Sequence, residues 1–99
     1  MTEQKSSTSN SLGSSGPYAN SNITYEIFKT MSRTWGYRIL IEGNIMIVQN
    51  TKPGLPGNFG FRTKKQAKKV AELVTSKIRN GQLPPTVTIE ELKSIGALE

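Results

Sequence analysis

Residues capable of chemistry gather in three short stretches. Arg62, Lys64, Lys65, Lys68 and Lys69 place five positive charges within eight residues, and no acid follows until Glu72. They fall where a helix is predicted to start, and cations there oppose the helix dipole by about 0.3–1 kcal/mol each. An anionic ligand would reverse that penalty, because free backbone amides, the dipole and the lysines would all face it together. The plainer alternative is that the lysine heads splay into water while their stems cover apolar surface. Glu90 and Glu91 form an adjacent carboxylate pair. Glu91, however, sits three residues after Thr88 as the second half of a capping box, and Glu90 falls in the first helical turn, where acids are stabilising. Gly54, Gly57 and Gly60 suggest a phosphate cradle, yet their spacing matches neither the P-loop nor the dinucleotide fingerprint, and no Gly-Lys-Ser/Thr ending follows.

The rest of the inventory narrows the field further. The 99 residues include no histidine, no cysteine and no aspartate, and the only carboxylate side chains are seven glutamates. Nucleophilic triads, Cys–His pairs and imidazole or thiolate metal sites are therefore excluded. General acid–base catalysis has little to work with. The expectation is a non-enzymatic protein with no cofactor and no metal.

The elements that must position these residues follow from periodicity. Ile23 to Lys29 alternates, with Ile23, Tyr25 and Ile27 on one side, and reads as a half-buried strand. Trp35 to Glu42 is a second strand with Trp35, Tyr37, Ile39 and Ile41 sharing a face, and Ile45 to Gln49 is a third. Gly43-Asn44 between them reads as a two-residue hairpin turn. That turn sets Ile41 opposite Met46, Leu40 opposite Ile47 and Ile39 opposite Val48. Tyr37, Ile39, Ile41, Met46 and Val48 then make the apolar side, and Leu40, Ile45 and Ile47 are left on the other as a possible apolar binding face for a protein partner or a second copy. Residues 50–60, with three Gly and two Pro, form a loop that would carry Leu55, Phe59 or Phe61 across the sheet. Trp35, Tyr37, Phe59 and Phe61 offer rings for stacking, although aromatics at strand positions more often belong to a core.

Thr63 with Gln66 makes a capping box, after which Ala67, Val70, Ala71, Val74 and Ile78 form one helical stripe that ends at Asn80-Gly81. Pro84-Pro85 is a spacer, and a short helix follows the Thr88 capping box, with Val87 and Leu92 as its hydrophobic staple and Gly96 as its stop. The fold class is α+β: a three-stranded antiparallel sheet packed by one long helix, plus a short C-terminal helix.

Two units divide the chain. Residues 1–22 hold seven serines, two threonines, three asparagines and two glycines, too polar to offset the roughly 1–2 kcal/mol per residue that backbone ordering costs, and read as a disordered tail. Residues 23–98 make the single domain. The net charge of +6 belongs to it: from Lys29 to Arg79 eleven Lys and Arg stand against two Glu. A basic face admits an anionic partner, whether nucleic acid, anionic lipid or acidic protein. No apolar run is long enough to span a membrane.

Trp35-Gly36-Tyr37, Gly57-Asn58-Phe59-Gly60-Phe61 with Thr63, the run Ala67 to Lys77, Leu83-Pro84-Pro85-Thr86 and Glu91-Leu92 together resemble a domain-of-unknown-function family of small exported bacterial proteins, many of them lipoproteins. The resemblance spans Thr24 to Leu98 and implies an extracytoplasmic location with a polar tether; this chain has no lipobox cysteine. It supplies no activity. Three strands followed by Gly60-Phe61-Arg62-Thr63-Lys64-Lys65-Gln66-Ala67 are also similar, more weakly, to the arm-DNA-binding domain of tyrosine recombinases. That likeness implies a nucleic-acid-binding module, although Leu40, Ile45 and Ile47 on the reading face count against it.

Overall fold

In the computed structural model, residues 16–98 are described. Three strands, β1 (Ile23–Lys29), β2 (Trp35–Ile41) and β3 (Asn44–Gln49), form an antiparallel sheet in the order β1-β2-β3. Two helices follow, α1 (Lys64–Arg79) and α2 (Ile89–Ser94). The fold is the α+β architecture that the periodicity predicts.

Local chemistry explains each boundary. At α1 the Thr63 hydroxyl accepts from the Gln66 amide and the Gln66 side chain accepts from the Thr63 amide, closing the capping box. The helix buries Ala67, Val70, Ala71, Val74 and Ile78, and Gly81 beyond its end takes a φ of 81° that an L side chain resists. α2 starts at the equivalent Thr88–Glu91 box and buries Leu92. Lys77 of α1 ties the two helices together, donating to Glu91 and, at 2.7 Å, to the Thr86 carbonyl.

Between helix and sheet lies the core. Ile23, Tyr37, Ile39 and Ile41 from the strands meet the α1 stripe, Val87, Leu92 and Ala97. Phe61 is fully buried with them: its amide and carbonyl exchange 2.8 Å hydrogen bonds with Trp35, extending the sheet beside β2 for one residue. Gly60 makes this possible, because a Cβ there would collide with the Trp35 carbonyl and sit 2.9 Å from that of Asn50. Of the three loop residues expected to cross the sheet, Phe61 does so, Leu55 packs at the core margin and Phe59 stays exposed.

The β2–β3 hairpin departs from its expected register in two ways. The turn is Glu42-Gly43, both at positive φ (52° and 83°), and Asn44 already pairs with Ile41. Moving the turn by one residue shifts the pairing by two, which preserves the faces near the turn: Leu40 opposes Ile45 and both still point away from α1. Met46 is then an extra residue in a bulge, and Ile39 opposes Ile47. A one-residue slip exchanges faces for everything beyond it. Ile47 accordingly turns toward the core and Val48 away, the reverse of the expectation, while Met46 is exposed as well.

The expected tail lies largely outside the described residues, at 1–15. Residues 16–22 are described, and they dock on the domain. Arg79 donates to the carbonyls of Ala19 and Ser21, Tyr18 packs against the core, and the Asn22 amide donates to the Glu42 carboxylate at 2.8 Å. The packed unit thus begins before Ile23.

Candidate functional site

Two surfaces hold the residues singled out by sequence. The first is the sheet face turned away from α1. Side chains alternate along a strand, so Thr24, Glu26 and Phe28 of β1 share this face with Arg38 and Leu40 of β2 and with Ile45 and Val48 of β3. Ile45, Met46 and Val48 are 58%, 51% and 54% exposed, and Leu40 is half-buried beside them. Toward β1 the face turns polar. Arg38 pairs with Glu26 at 3.3 Å and stacks over the Phe28 ring at 4.4 Å from its centroid. Beyond Phe28 a groove of about 350 Å³ runs between Met31, Asn50 and Asn58. Of the three apolar residues chosen from sequence, Leu40 and Ile45 stand on this face and Ile47 does not; Met46 and Val48 join them. No local signal announces the bulge that makes the exchange.

The second surface is the start of α1. No acid stands in its first turn. Lys64 and Lys68 lie one helical turn apart, as do Lys65 and Lys69, giving two adjacent basic rows. Lys64, Lys65 and Lys68 are exposed and Lys69 is half-buried, its ammonium near Gly96 after α2. Arg62 precedes the cap and is exposed. Trp35 stands between two of the cations, with the Lys29 and Lys64 ammonium groups 5.5 and 5.9 Å from its ring centroid, a geometry worth about 0.5–1 kcal/mol at exposed sites.

The carboxylate pair resolves as the capping rule requires. Glu91 accepts from Lys77, at 2.7–2.8 Å, and from the Thr88 amide at 2.9 Å. The Lys77 hydrogen bond first, then the Thr88 amide, holds its carboxyl below the usual range. That is a structural assignment for Glu91. The aromatics also divide: Tyr37 and Phe61 are core, Trp35 is half-buried under its lysines, and Phe59 is exposed. Among the described residues no cluster of three or more His, Cys, Asp or Glu could hold a metal ion, and no helix is long and apolar enough to cross a membrane.

No curated protein and no solved structure matches the chain. One family model does, over residues 26–94, from β1 to the end of α2. The chain belongs to that family, described as a domain of unknown function (DUF4907).

Proposed function

We propose that this domain is a non-enzymatic interaction module of an exported bacterial protein, and that it docks a protein partner through the open sheet face. The observation that carries the reading is the exposure of Ile45, Met46 and Val48 around Leu40 on the side of the sheet that, among the described residues, carries no helix. An apolar cluster that the fold leaves uncovered is characteristic of interaction surfaces. The Met46 bulge disfavours simple strand addition at the β3 edge, because it interrupts the ladder a new strand would extend. Contact through side chains on the face fits better. The extracytoplasmic setting rests on the family resemblance carried by Trp35-Gly36-Tyr37, the Gly57–Phe61 stretch and Leu83-Pro84-Pro85. A non-catalytic role is supported by the absence of His, Cys and Asp from the sequence and by the use of Glu91 as a cap.

The test is the double variant I45K/V48K, compared with wild type for melting temperature and for recovery of a partner from the envelope fraction of the native host. Unchanged melting with lost recovery supports the reading. Retained recovery of the same partner contradicts it.

A second reading has its own observation, the two lysine rows around Trp35 at the start of α1. There the domain would hold an anionic polymer. Binding to DNA, RNA or anionic vesicles would then weaken steeply with salt, and K64E/K65E would abolish it. Binding that is absent or indifferent to salt would leave these lysines as a solvated face.

A further inference from the structure

On the opposite side of the sheet a cleft of about 460 Å³ opens between β3, α1 and the proline segment before α2. This volume lies within the range of small-molecule sites. Tyr37, Ile47 and Gln49 form its sheet wall, Val74 its helix wall, and Pro53 and Pro85 its rim. None of its lining residues is charged.

Two polar groups on that wall are left over by the fold. Tyr37 is only 2% exposed, and among the described residues its hydroxyl has no hydrogen-bond partner. A buried hydroxyl without a partner is uncommon, since leaving it unmatched is unfavourable by about 1–3 kcal/mol. Burial also pushes its pKa well up, so it stays a neutral donor throughout the physiological range. Gln49 is the cross-strand partner of Tyr37 and shares its face. Its side-chain nitrogen donates to the Thr51 carbonyl at 2.8 Å, which orients the amide and leaves the oxygen as an acceptor. Neighbouring positions of an uncharged, apolar wall thus offer one donor and one acceptor.

The geometry points to a binding site for a small neutral molecule that carries an amide on an aromatic or aliphatic ring. The amide carbonyl accepts from the Tyr37 hydroxyl, the amide N–H donates to the Gln49 oxygen, and the ring packs among Ile47, Val74 and Pro85. Carboxylates and ammonium ions are disfavoured, because nothing on the wall compensates the loss of their hydration. The site lies on the helix side of the sheet and is independent of the open-face reading.

Three probes of one shape test the assignment: benzamide, benzoate and isopropylbenzene, titrated into the full chain while methyl and amide NMR signals are followed. The expected result is saturable shifts at Ile47, Val74 and Val87 with benzamide the tightest binder. In Tyr37→Phe, benzamide binding should weaken roughly five- to tenfold, the size of one lost hydrogen bond, with isopropylbenzene unchanged. Tyr37→Phe should also melt at or above the wild-type temperature, because the hydroxyl has no partner to lose and its removal relieves an unmatched buried donor. No saturable shift at these residues, equal affinity for the three probes, unchanged benzamide binding in Tyr37→Phe, or loss of the fold in that variant would each overturn the assignment.

Discussion

The two faces of this sheet come from the same three strands and carry similar residue types, yet they meet different surroundings. Under α1, Tyr37, Ile39 and Ile41 are buried against Val70, Val74 and Ile78. On the other face Ile45, Met46 and Val48 stand half in water. Isoleucines occur on both, so residue type alone does not mark the core. Register decides it, and register here is set by a turn and a bulge. The exposed side chains of the open face lie outside the core that α1 closes.

Substitutions that ignore the faces should break this comparison, and those that respect it should sharpen it. The largest effect is expected at Phe61, which is fully buried at the end of β2: Phe61→Ala should destabilise by about 3–5 kcal/mol in denaturant titration. Ile47→Lys comes next, at roughly 2–3 kcal/mol, because the bulge places it against the core and a lysine there must give up either its packing or its hydration. A neutral outcome at Ile47 would refute the register. Reversal of the helix-start charges in K64E/K65E should raise stability by about 0.3–1 kcal/mol per residue, since acids favour the first turn and α1 has none. Ile45→Lys and Val48→Lys should each stay within about 0.5 kcal/mol of wild type, as exposed positions do.

A pH series separates the α1–α2 clasp from these packing effects. The native carboxyl of Glu91 titrates below its ordinary value of 4.5 because of Lys77 and then Thr88. Its contribution is therefore complete above that value and is lost as pH falls through the lowered native one. Glu91→Gln should flatten the acid limb of the stability profile and leave its slope at neutral pH unchanged. An acid limb of wild-type steepness would assign it to other carboxyls.

Much of this was legible because the signals are local. The stripe Ala67, Val70, Ala71, Val74, Ile78 and both capping boxes depend on residues three or four apart, and all form as read. The features that escaped depend on distant contacts. Glu42 adopts a left-handed φ of 52° while its carboxylate and amide both bond Asn22, twenty residues upstream. Nothing in Gly43-Asn44 reveals that anchor, so the local pattern puts the turn one residue late. Residues 16–22 are polar, and they pack because Arg79 reaches their carbonyls. At the candidate face, Leu40 and Ile45 were identifiable from alternation, whereas Val48 required the bulge. The lysine rows were fully visible in the sequence; the Trp35 ring between Lys29 and Lys64 was not, because the strand and helix that join them are far apart in the chain.

Site-specific photocrosslinking in the native host tests the central claim most directly. A photoreactive residue at Val48, on the open face, should give a discrete protein adduct that disappears when Ile45→Lys is added, while the same residue at Ser76, on the solvent side of α1, should give none. No adduct at Val48, or the same adduct at both positions, would contradict the account of the open face as the docking surface.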